Sequence, residues 1–181
     1  MKQLVVFLMA LLLLAAVPVI ADQPAPAPAQ AHYEMKFMTD MIDHHAMAVM
    51  MAQSCLEKAI HSELKALCQQ IITTQSAEIE QMQSWLQSWY SISYEPDVKM
   101  TGQMKRLMSL SGEMFEIEFM QMMIRHHAQA VKEGEHCLQK AYHAELKQLC
   151  QNIVVSQAAE IRQMQSWLCQ WYTICDWGPK V

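Results

Sequence analysis

Two pairs of adjacent histidines, His44-His45 and His126-His127, each follow methionines at helical intervals. Met38 and Met41 stand seven and four residues before His45, and Met120 and Met123 stand likewise before His127. On a helix such offsets line one face. Thioether sulfur is neutral, polarizable and hard to protonate, so it suits Cu(I) or Ag(I), and imidazole adds a stronger nitrogen donor. Zinc does not favour thioether, and calcium or magnesium would call for oxygen clusters that are not found here. Free imidazole titrates at about 6.5, so binding through these rings is expected to weaken as pH falls through that value and to leave a sulfur-only remainder.

Any single methionine among the 17 also reads as core filler, because the side chain fits irregular gaps. Four imidazoles beside sulfur give packing no such advantage. Met47, Met50 and Met51 extend the first sulfur face, but their counterparts in the second half are Gln129, Lys132 and Glu133, so that half is expected to bind fewer or weaker ions there. Met100, Met104 and Met108 form an i, i+4, i+8 row between the halves, either an accessory site or a row that docks a linker.

The elements that must position these groups are written twice. Phe37–Tyr90 returns as Phe119–Tyr172 at an offset of 82, with 33 of 54 positions identical, and Met82 is matched by Met164. Apolar residues recur at steps of three and four, no stretch alternates like a strand, and no proline interrupts Tyr33–Glu95. Each half therefore reads as two antiparallel helices broken at Ala59-Ile60-His61 or Ala141-Tyr142-His143. The fold class is all-α: a four-helix bundle from two duplicated hairpins, repeat one at 37–90 and repeat two at 119–172. The linker, 91–115, is long enough to run the length of the bundle, and a ferritin-like crossover between helices 2 and 3 is expected in preference to a local turn. His61 and His143, at the turns, read as exposed or capping residues, and Trp85, Trp89, Trp167 and Trp171 as core packing near helix ends, with a stacking or cation–π role as the alternative.

Cysteine placement agrees with the hairpins. Cys55 and Cys68 sit symmetrically about one turn, Cys137 and Cys150 about the other, which predicts a bridge across each hairpin. Soft-metal thiolates are the alternative, but these residues lie a helical length from the histidine pairs. Cys169 and Cys175 have no counterparts in the first half and are expected to bridge locally.

Residues 1–21, with Lys2, an apolar run from Leu4 to Ala16 and a small residue at Ala21, have the layout of a secretory signal peptide, and Pro18 cuts the run short of a membrane span. Residues 22–32, rich in proline and alanine, are expected to form an extended tether before a metal-binding domain at 33–181. An even count of six cysteines suits an oxidising compartment, periplasmic or extracellular. The chain carries 13 basic and 18 acidic residues, a net charge of −5, which suits neither nucleic acid nor anionic lipid, and no stable membrane insertion is expected once the leader is removed.

The pattern Phe37-Met38-x-x-Met41-Ile42-x-His44-His45, followed by Ala48, Met51-Ala52, Glu63-Leu64, Leu67, Gln75, Glu78-Ile79, Met82 and Trp85, resembles the exported His-His/Met-rich helical bundles grouped as a domain of unknown function. The resemblance implies ligands at Met38, Met41, His44, His45 and Met82, and at Met120, Met123, His126, His127 and Met164. Glu133, standing where the first unit has Met51, puts the second unit's full set in doubt. It also implies a role outside the cytoplasm: sequestering copper, as Cu(I) or in addition Cu(II), and silver, for resistance or for handover to a copper sensor or efflux component. No catalysis is expected. A ferritin-type di-iron oxidase would need two Glu-x-x-His motifs; Glu133-x-x-His136 supplies one, and its counterpart is Met51-x-x-Ser54. A bundle that binds a protein partner through an adaptable methionine surface is the third reading.

Overall fold

Helical periodicity without internal proline yields four long helices and one short one in a computed structural model that describes residues 23–179. They are α1 (Pro28–Lys58), α2 (Ser62–Tyr90), α3 (Gly102–Ser109), α4 (Gly112–Lys140) and α5 (Ala144–Tyr172). The expected leader, 1–21, lies outside the described residues. α2 and α5 end alike: Ser91 and Thr173 turn left-handed at φ 56° and 60°. Ile92 N–H then reaches back to Leu86 O, and Ile174 N–H to Leu168 O, each at 3.0 Å. Such six-residue closures satisfy carbonyls that a helix end would otherwise leave open.

α1 pairs with α2 and α4 with α5 as antiparallel hairpins. Cys55–Cys68 and Cys137–Cys150 staple them, and Cys169–Cys175 closes a short loop after α5, so the three expected bridges form. Gly134 permits the close approach within the second hairpin: a Cβ there would stand 2.8 Å from Val154 Cγ2 and 3.2 Å from Cys150 O.

The hairpins meet along α1 and α4, which run antiparallel. Glu34, early in α1, accepts the N–H groups of Tyr142 and His143 at 2.6 and 2.8 Å, beyond the end of α4. Glu116, early in α4, accepts those of Ile60 and His61 at 2.6 and 2.8 Å, beyond the end of α1. The four long helices are thus ordered up, down, down, up. Residues 91–111 must climb the whole bundle, as the crossover expectation held. Tyr94 OH and Asp97 N–H both donate to Asp43 at 2.8 Å, and the Lys58 ammonium, fifteen residues further along α1, donates to Leu110 O at 3.3 Å.

Two findings depart from the sequence reading. The stretch 22–32 is not extended throughout, because α1 begins at Pro28. Proline fits the first helical turn, where its missing N–H has no partner to lose, and Ala29-Gln30-Ala31 are good helix formers. Ahead of it Ala25 is buried and donates to Tyr90 OH at 3.4 Å. His61 and His143 do stand at the N-cap positions of α2 and α5, but their side chains do not cap, and His143 is buried rather than exposed. His143 Nδ1 is 2.7 Å from Glu34 and His61 Nδ1 is 2.6 Å from Glu116, while Trp89 and Trp171 stack on the two rings at 3.8 and 3.9 Å. Tyr90 and Tyr172 hydroxyls complete the two carboxylate clusters. The two buried carboxylates clamp each hairpin's turn to the other hairpin's open end.

The apolar core divides correspondingly. Phe37, Met38, Met41, Ile42 and Met82 pack with Leu146, Leu149 and Ile153 at one end, and Phe119, Met120, Met123, Ile124 and Met164 with Leu64, Leu67 and Ile71 at the other. Between the two ends lies the histidine layer. Among the described residues no helix is long and apolar enough to cross a membrane.

Candidate metal centre

Because α1 and α4 are antiparallel copies, equivalent residues midway along them meet. His44 and His126 stack with centroids 3.5 Å apart and ring planes at 28°. His45 and His127 lie beside them, 6.2 Å from His44 and His126 respectively. All four ring nitrogens of His44 and His126 are buried and have no protein hydrogen-bond partner. Unpaired buried donors and acceptors are costly, and native interiors seldom tolerate them without a ligand or water.

Burial holds the His44 imidazole down to about 3, helped by the neighbouring His45 and His127 rings. His126 is pushed well below the usual range by burial and then by the other three histidines. Both rings are therefore neutral near pH 7, with a lone pair free for a metal.

His45 and His127 are fully buried and differently dressed. His45 Nε2 is hydrogen-bonded to Glu78 Oε2 at 2.7 Å, which leaves Nδ1 without a partner. His127 Nε2 and Glu160 Oε2 are also 2.7 Å apart, but without hydrogen-bond alignment, so we read that contact as proximity of charge and ring. A carboxylate behind an imidazole fixes the tautomer and makes the other nitrogen more basic, an arrangement typical of metal-ligating histidine. Gln75 and Gln157, equivalent residues, are buried with both amide atoms unpartnered.

Sulfur flanks this layer. Met38, Met41 and Met82 are buried together in one core cluster, and Met120, Met123 and Met164 in the other. Met41 and His44 also line an open cleft of 410 Å³ with Lys36, Asp40 and Glu133. Met47 and Met51 line a smaller cleft of 210 Å³ with Met104 and His126. The structure does not gather the remaining methionines there: Met50 packs against a core cluster, Met100 is exposed, and Met108 Sδ takes a hydrogen bond from Ser54 at 2.9 Å.

Sequence reasoning did not assign Glu78, Glu160, Glu34 or Glu116 to any task. The signal was available, since both pairs are separated by the same 82 residues as the histidines. As for a di-iron centre, His136 is exposed, and no group of three or more His, Cys, Asp or Glu side chains is placed to hold a metal among the described residues. Among the described residues neither carboxylates nor the four histidines converge as a group of three, so an ion at the histidine layer would need thioether as well as imidazole.

Several solved structures are similar to this chain. CopM in its Cu(I)-bound form is 34% identical, covers 77% of this chain and 97% of its own, and superposes with a TM-score of 0.71. Its Ag-bound and Cu(II)-bound forms give TM-scores of 0.70 and 0.68 at 34% and 33% identity, with the same coverage of both chains. A DUF305 fragment from Deinococcus radiodurans is 28% identical over 82% of this chain and 99% of its own, with a TM-score of 0.70. No curated protein matches. Residues 34–168 match the domain of unknown function DUF305, and the chain belongs to that family.

Proposed function

We propose that this protein binds copper, as Cu(I), and silver outside the cytoplasm and holds the ion as cargo, in copper homeostasis or resistance, without catalysing a reaction. The observation that carries the reading is the His44–His126 stack, four buried ring nitrogens without a protein partner between two thioether clusters. The ligand sets are Met38, Met41, His44, His45 and Met82, and Met120, Met123, His126, His127 and Met164. Similarity to CopM, whose structures contain Cu(I), Ag and Cu(II), supports the choice of ion. The imidazoles are the donors suited to Cu(II) as well.

Neutral donors leave the charge of a buried monovalent ion uncompensated, and an uncompensated buried charge is costly. Glu78 and Glu160, behind His45 and His127, supply negative charge without entering the coordination shell. The cysteines, tied in disulfides, are not available as competing thiolates. The layout of residues 1–21 and the three bridges favour an oxidising, extracytoplasmic location, with cleavage after Ala21 and a folded domain delivering its ion to a sensor or efflux component.

Ligand binding to the folded state alone adds about 2.7 kcal/mol at a hundredfold excess over Kd. Ag(I) should therefore raise the melting temperature and Mg(II) should not, with bound silver counted directly. Equal transitions in the two salts would refute the reading.

A further inference from the structure

The two clefts beside the histidine stack are images of one another under the 82-residue shift, yet their chemistry differs. In the larger cleft Asp40, His44, Gln129 and Glu133 are among the lining residues, beside Met41; in the smaller one the equivalent positions are Met122, His126, Met47 and Met51, and Gln129 reaches both clefts. Three oxygen-bearing side chains have thus been exchanged for three thioethers around the same imidazole position. A fourth sulfur, Met104 of α3, has no counterpart in the repeat, because it comes from the linker and is packed over this cleft alone.

Plain packing explains this poorly. Met47 and Met122 are only partly buried, the cleft is 210 Å³ rather than filled, and Thr101, Gln103 and Arg125 at its walls are polar. The Arg125 guanidinium is drawn to the Trp177 ring, 4.9 Å from its centroid, which provides it a partner outside the sulfur set. Met104 is 1% exposed, so the linker is seated and its thioether is held against α1 and α4 rather than free in solvent. Thr101 caps α3 by accepting the Met104 N–H at 3.2 Å, fixing the helical turn that presents this side chain.

We propose that Met47, Met51, Met104 and Met122 form a second site for a soft monovalent ion, Cu(I) or Ag(I), made of thioethers alone and walled on one side by α3. It rests on the reading of the protein as a soft-metal binder, and it separates from the histidine centre in its ligands. Met100 and Met108 take no part, and nor does Met50. The larger cleft, where Met41 is the single thioether beside two carboxylates, holds no equivalent site of several sulfurs.

The test uses Ag(I) as the probe on the full mature chain, with bound ions counted after removal of excess metal. The variant M47L/M51L/M104L/M122L keeps side-chain volume and loses only sulfur; it should bind one Ag(I) fewer than wild type while keeping the histidine-dependent ion. H44A, removing the ring that lines the other cleft, should lose the histidine-dependent ion and keep the thioether one. Should the fourfold variant misfold, 13C-methyl methionine spectra of the wild type decide. The ε-methyl signals of Met47, Met51, Met104 and Met122 should move on Ag(I) addition and still move in H44A. An unchanged ion count in the leucine variant, or four ε-methyl signals unmoved at saturation, overturns the second site while leaving the histidine centre standing. No Ag(I) bound by wild type would instead overturn the reading on which it rests.

Discussion

His44 and His126 are 82 residues apart in the chain, yet their rings stack 3.5 Å apart where α1 passes α4, and none of the four ring nitrogens meets a protein partner. Two neutral imidazoles buried in this way cost stability, since each forfeits its water for little more than the ring stack and a weak backbone contact with its counterpart. On the proposed reading, an ion that takes the lone pairs would recover that cost.

H44A/H126A should therefore separate stability from function. Removing both rings removes the unpaired polar atoms, and alanine has the higher helix propensity, so the metal-free variant should melt no lower than wild type. The Ag(I)-induced rise in melting temperature should shrink at the same time. Calorimetry with and without Ag(I) measures both, and a metal-free variant that melts well below wild type would show that the stack is a packing device.

His45 should behave in the opposite way, because its Nε2 is paired with Glu78 at 2.7 Å and both groups are buried. H45A leaves a buried carboxyl group without its hydrogen-bond partner, a change that typically costs about 1–3 kcal/mol. E78Q retains a hydrogen-bonding group of the same size and should be tolerated by the fold, yet lose about 10–100-fold in metal affinity as the support behind the ligand weakens. Urea unfolding of H45A and Ag(I) titration of E78Q test the pair. An E78Q protein with wild-type affinity would remove Glu78 from the site.

Most of the helical framework was legible in the sequence because duplication made it so: the offset of 82 exposed the hairpins, the turns and the cross-hairpin bridges. Which hairpin faces reach one another was not legible, since periodicity gives a helix its face but not its neighbour. Glu34 and Glu116 illustrate this. Each contacts the turn of the other repeat, so a reading confined to one hairpin at a time could place neither. The same limit affected the histidines. Free imidazole suggested proton competition at about 6.5, whereas burial in the shared layer holds His44 at about 3. Proton competition at that ring consequently falls in a more acid range than the sequence suggested.

Acid stability should report on the two clamps. Burial alone would raise the Glu34 and Glu116 carboxyls, but hydrogen bonds from Tyr90 and His143, and from Tyr172 and His61, outweigh it and hold both below the ordinary value. A carboxyl with a lowered folded-state pKa contributes stability that is fully present above its unfolded value of about 4.3 and is lost as pH falls through the folded value. Thermal melts from about pH 6 downward should thus steepen below about 4.3 in wild type. E34Q/E116Q should be less stable near neutrality and should lose less on acidification. Parallel wild-type and variant curves across that range would show that these carboxylates do not clamp the hairpins.

The bridges should matter for stability and not for the metal. Cys55 is eleven residues from His44, about 16 Å along a helix at 1.5 Å per residue, too far for its sulfur to share an ion with that ring. Cys55–Cys68 closes 13 residues of chain, and a loop of that size limits the unfolded ensemble by about 3 kcal/mol. C55A/C68A should accordingly lose at least that much stability, with a further contribution because both side chains are fully buried and alanine leaves space behind. Its Ag(I) count should equal that of wild type under conditions where the variant is folded. In unreduced wild type, a thiol reagent should modify none of the six cysteines. A C55A/C68A protein that is folded but has lost an ion would mean that thiolate, and not thioether and imidazole, holds the metal.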